Sequence, residues 1–277
     1  MEEAGAILRR LDPDRYFADL FLPEEKRGHV FVLHAFNAEI GRIREAISEP
    51  LPGEIRLEWW RDTLARGASG GHPLAGALLR TIESCRLPLA AFDAMLEARI
   101  FDLYDDPMPD MAAFEAYAGA TASVLFQLAA IVLADGTDPV SADASGHAGV
   151  AYALTGLLRS RPHHARAGQI YLPLDILARA GADPADLLTG RATKGVRAGL
   201  AELRALARKH LRLAQAEAAG LPAPIRAAFL PLALVEPTLR RLESIGAGPL
   251  ASPAELPQWR RQWILWRAAR KSADRGG

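Results

Sequence analysis

The chain has 277 residues, half of them hydrophobic and 24% charged, with 33 basic and 33 acidic side chains and a formal net charge of zero. This length can bury a large core. The charge balance gives no sign of nucleic-acid binding or of disorder. A single cysteine, Cys85, excludes an internal disulfide and any cysteine-based metal cluster.

From the N-terminus, MEEAGAILRR opens with acids and lacks an apolar stretch before a small-residue cleavage site, so no secretory signal is expected. Leu33, Phe36, Ile40, Ile43 and Ile47 then recur at three- and four-residue steps, predicting one helix with one apolar stripe. Pro50-Leu51-Pro52-Gly53 reads as a break, as do Gly70-Gly71-His72-Pro73 and Pro107-Met108-Pro109. Asp102, Asp105 and Asp106 precede the last of these. They read either as a weak metal site or as solvated acids at a helix end, because Pro107 stops any helix that could align them.

Asp110 is placed as the N-cap of the next helix. The uncharged stretch Ala116 to Ala134 approaches membrane-span length, but its small and polar residues predict a buried core helix. Asp183 with Pro184 marks another helix start. Val196, Leu200, Leu203, Ala207 and Leu211 form a second helical stripe. Gly246-Ala247-Gly248-Pro249 reads as a last break, ahead of a Trp/Arg-rich helix in 250–277. There Trp259, Trp263 and Trp266 share one face beside Arg260, Arg261, Arg267, Arg270 and Lys271. That stripe suits docking on the bundle or a membrane interface. Strand signals are nearly absent, and about nine to twelve helices with short connections are expected in one all-α domain spanning 1–277.

Two stretches resemble the squalene/phytoene synthase family: YFADLFLPEEKRGHVFVLHAFNAEI (Tyr16 to Ile40) and GVAYALTGLLRSRPHHARAGQIYLP (Gly149 to Pro173). EIRLEWWRDTL and YAGATASVLFQLA match in spacing between them. The resemblance implies a single isoprenoid-synthase-type bundle around a central cavity. It also implies two aspartate-rich motifs that hold Mg²⁺ and a substrate diphosphate through carboxylates one helical turn apart.

At the first motif this chain has Gly41, Arg42, Ile43, Arg44 and Glu45; at the second it has Ser160, His163 and His164. Serine and histidine are poor magnesium ligands, and arginine has the wrong charge. The histidine pair is weighed as a transition-metal site, with Pro162 expected to place it on a turn. Tyr16, Arg42, Arg159, Arg166 and Tyr171 are the ligand-binding candidates that the resemblance offers. Arg42, Arg44, Arg159, Arg161 and Arg166 would either gather around one cavity to hold an anion or pair with Glu39, Glu45 and Glu49.

Ala-Phe-Asn-x-Glu-Ile, Ser48-Glu49-Pro50, Trp59-Trp60 and the Arg-Pro-His-His run resemble a divergent branch of the family that assists respiratory complex I assembly. This implies a non-catalytic helper that partners a membrane complex or its assembly intermediates, cytoplasmic or peripheral to the inner membrane, without a transmembrane segment. No cofactor is expected on that reading. An active prenyltransferase, which would need Mg²⁺, and an isoprenoid- or lipid-binding protein without turnover are the alternatives.

Overall fold

Fifteen α-helices, three short 3₁₀ segments and one π-turn make up the folded elements, and no strand occurs among the described residues. The structure, a computed structural model, describes residues 1–246 and 255–274. The expected break at Gly246–Pro249 and the first part of 250–277 therefore fall largely outside the described residues. The first half comprises α1 (Glu2–Leu11), α2 (Pro13–Asp19), α3 (Glu24–Ile40), α4 (Pro50–Arg66), α5 (Pro73–Ser84), α6 (Leu89–Ile100), α7 (Met111–Ala118) and α8 (Val124–Leu133). The second comprises α9 (Ala142–Arg166), α10 (Leu174–Arg179), α11 (Pro184–Thr189), α12 (Lys194–Ala219), α13 (Ala223–Arg226), α14 (Val235–Ile245) and α15 (Gln258–Asp274). The excess over the expected number comes from α10, α11 and α13, which are under two turns long and too short to show a helical period.

Both predicted stripes are core faces. Val196, Leu200, Leu203, Ala207 and Leu211 are all buried along α12, which packs along the length of α9. Leu33, Phe36 and Ile40 are buried on α3, but the stripe outlives its helix: Ile43 is buried in the following turn and Ile47 is extended. From Val30 onward α3 is buried nearly all round, with Val32, Ala35 and the polar His34 and Asn37 also inside, as befits a central helix. Pro50-Leu51-Pro52-Gly53 is not a break; it is the first turn of α4, where proline's fixed φ is already helical and its missing N–H is not needed. The caps stand where the sequence puts them, with Asp110 accepting from Ala113 N at 2.8 Å and Asp183 accepting from Ala185 N at 2.8 Å.

Residues Met111–Leu133, with mean hydropathy 1.7, are long and apolar enough to cross a membrane. In the fold they lie in the core as α7, the π-turn Gly119–Ser123 and α8. The π-turn has a packing cause. A Cβ on Gly149 would sit 2.3 Å from the backbone nitrogen of Ser123, so α9 crosses this turn backbone to backbone and only glycine fits.

Helix α15 does dock on the bundle, but not through its tryptophans. Leu265 is fully buried against Ala18, Leu230 and Leu234, with Ile264, Ala268 and Ala269 beside it. These residues lie across the helix from the tryptophan stripe, which faces outward.

Candidate functional site

The chain after α3 carries the first of the two altered motifs. Gly41 caps the helix, and a Cβ there would lie 3.4 Å from Arg99 Nη2. Arg42 Nε donates to Glu45 Oε2 at 2.7 Å, with both side chains about half exposed. Arg44 turns the other way, donating to Asp105 Oδ1 at 3.1 Å and to the carbonyl of Ile47. Arg42, Ile43 and Glu45 form one wall of an open cleft of about 700 Å³, opposite Ile55, Trp59 and Trp60 of α4.

The second motif stands on the last turns of α9. The helix runs straight through Pro162 to Arg166, so the expected turn at the histidine pair is not there. Proline inside a helix forfeits one backbone hydrogen bond, and the helix tolerates it one turn from its end. His163 is exposed, while His164 is half-buried with Tyr171 packed against its edge at 4.8 Å. Burial, with His163 beside it, lowers the His164 pKa to about 4 against a weaker pull from Glu45, so at neutral pH the ring carries no charge. Ser160 lies half-buried on the same helix. Arg161 lines a small recess with His164, Gln169 and Tyr171, and burial lowers its pKa.

Tyr171 is positioned by a backbone tie. Met108 N donates to the Ile170 carbonyl at 3.1 Å and Leu174 N donates to the Met108 carbonyl at 3.0 Å, so the two proline-rich connections brace each other. Burial first, then Asp102, pushes the Tyr171 phenol above its ordinary pKa and keeps it protonated.

The acid cluster at 102–106 is divided by the fold. Asp102 is buried rather than solvated, because Arg99 one turn earlier donates to it at 2.9 Å and the Tyr117 hydroxyl donates to it at 2.8 Å. Arg99 also donates to Tyr117 Oη at 2.8 Å and to Asn37 Oδ1 at 3.0 Å, joining α3, α6 and α7. Burial alone would lower the Arg99 pKa, but Tyr117 and Asp102 outweigh it and hold the guanidinium charged. Asp105 faces Arg44 and Gln169, and Asp106 is exposed. Among the described residues no group of three or more His, Cys, Asp or Glu converges as a metal site would require.

Among the described residues three of the arginines have separate acidic partners, one of them Glu45, an acid expected to pair with them. Arg42 is with Glu45, Arg44 with Asp105, and Arg159 Nη1 donates to Asp14 Oδ2 at 3.1 Å. The other oxygen of buried Asp14 accepts from Arg261 Nη1 of α15 at 2.6 Å. Arg166 is exposed at the end of α9. Tyr16 belongs to an aromatic group, its ring stacked 5.3 Å from Phe31. Sequence reasoning passed over Arg99 and Asp14 and met Asn37, Tyr117 and Arg261 only as parts of longer patterns; the i, i+3 spacing of Arg99 and Asp102 was the one signal of this cluster.

A bundle in which a long central α3 packs on α1, α5 and α8, α8 packs on α9, and α9 runs along α12 is the all-α isoprenoid synthase fold. The squalene synthase HpnC of Alicyclobacillus acidocaldarius superposes with a TM-score of 0.79 at 22% identity, over 90% of this chain and 94% of that one. The family model described as squalene/phytoene synthase matches residues 8–267, and the chain belongs to that family. Two relatives point to different parts of it. Human "NADH dehydrogenase (ubiquinone) complex I, assembly factor 6" is 28% identical over 243 residues, 86% of this chain and 72% of that protein. Phytoene synthase of Thermus thermophilus is 28% identical over 265 residues, 95% and 90% respectively.

Proposed function

We propose that this protein is a non-catalytic member of the squalene/phytoene synthase family that assists assembly of respiratory complex I. One observation carries the reading: the positions where the resemblance calls for carboxylates hold an arginine–glutamate pair, a serine and two histidines. Of these, Glu45 is engaged by Arg42 and His164 is held neutral. The nearby buried carboxylates, Asp102 and Asp14, are already neutralised by arginines. Mg²⁺ needs several free oxygen donors around one point, and these residues do not supply them. No cofactor enters the proposal. The likeness to the human assembly factor over 86% of the chain supports the biological setting.

Deletion of the gene tests it. The expected result is loss of NADH:ubiquinone oxidoreductase activity with unchanged isoprenoid content. Magnesium-dependent release of diphosphate from farnesyl or geranylgeranyl diphosphate by the purified protein would overturn it. The apolar-walled cleft beside Trp59 and Trp60, of a size that suits a small ligand, supports a second reading. On that reading an isoprenoid or lipid binds without turnover, measured as saturable quenching of tryptophan fluorescence.

A further inference from the structure

Helix α15 is held to the bundle in a fixed rotation. Leu265 and its neighbours seat one face, and the Arg261–Asp14 ion pair, largely shielded from water, locks it. The opposite face therefore points outward: Trp259, Trp263 and Trp266 are 69%, 50% and 43% exposed. Soluble surfaces rarely leave three tryptophans in one row uncovered. Arg267 lies over the Trp263 ring at 4.7 Å and Arg270 over the Trp266 ring at 4.9 Å. Exposed Arg260 and Lys271 flank them, and no Asp or Glu occurs from Leu256 to Lys271. In a chain of zero net charge, this face is a local cationic patch built on indole rings. A cleft of about 640 Å³ opens alongside, between Phe21, Pro23, Ala268 and Lys271.

We infer that the outward face of α15 is a docking surface for an anionic phospholipid bilayer. Indole rings settle at the headgroup level, where an apolar ring and a wet N–H are both satisfied. Guanidinium groups stacked on those rings reach the same depth and pair with lipid phosphates, each cation contributing attraction that salt screens. Because the inner face is already fixed, no folding accompanies contact, and the protein meets the bilayer side-on as a peripheral body. The inference rests on α15 alone and is independent of the role in complex I assembly.

Sedimentation of the full chain with vesicles tests it. Binding is expected to phosphatidylcholine vesicles containing phosphatidylglycerol, and not to phosphatidylcholine alone. Arg267→Gln with Arg270→Gln lowers the partition coefficient about 25-fold, roughly fivefold per charge. Trp263→Ala with Trp266→Ala also removes binding, and all four substitutions leave the circular dichroism melt unchanged, since the side chains are exposed. Equal binding to both vesicle types, or binding indifferent to these substitutions, would overturn the proposal. So would capture of poly-L-glutamate without capture of either vesicle, which marks the patch as a site for an acidic protein.

Discussion

Asp102 and Glu45 are both carboxylates facing an arginine three residues away, near the same end of α3, and the fold uses them in opposite ways. Asp102 sits inside, bridged to Arg99 and Tyr117 and through Arg99 to Asn37, where each lost partner leaves a charge or hydroxyl stranded out of water. Glu45 and Arg42 meet at the open cleft, where water takes over from either partner. Glu45, in the first motif, stands at the rim of the cleft, and Asp102, the acid that looked like surplus, is a structural hub.

That contrast can be broken by substitution. Asp102→Ala should cost about 3–5 kcal/mol in urea unfolding, because it strands Arg99 in the interior; a cost below about 1 kcal/mol would place Asp102 with the surface acids. Asp14→Ala, which strands Arg159 and Arg261 in a partly wet setting, should cost about 2–3 kcal/mol.

His164 sharpens the comparison from the second motif. Its pKa is about 4 in the fold against an ordinary 6.5, so the unfolded chain binds a proton more readily between those values. Its contribution is therefore constant above pH 6.5 and falls away as pH drops toward 4. Allowing for its partial exposure, the loss is on the order of 2 kcal/mol. The stability difference between the wild type and His164→Gln should shift by that amount across the window, and a flat difference would contradict the burial of the ring. The smallest effect belongs to Arg42→Ala or Glu45→Ala, each expected to change stability by less than about 1 kcal/mol, and by less still in high salt.

Much of the fold was legible because helices carry their own period. The α12 stripe, the caps at Asp110 and Asp183 and the core helix at 116–134 are all local patterns, and local patterns survive in one sequence. Pro50 and Pro162 misled for the same physical reason: proline is tolerated in a first turn and near a helix end, where it looks like a break. The altered motifs could be read position by position, but the partners of their charges could not. Asp14 finds Arg159 and Arg261 across 145 and 247 residues of chain, and no spacing rule reaches so far. The outward face of α15 was half legible: the tryptophan row was plain, while the side that would be buried depended on Leu265 meeting Leu230 and Leu234.

The carboxylate of Asp14 is a single resource divided between α9 and α15. The N-terminal segment, the long α9 and the last helix are thereby fastened at one buried point, so a change of charge at residue 14 is felt at both ends of the chain at once.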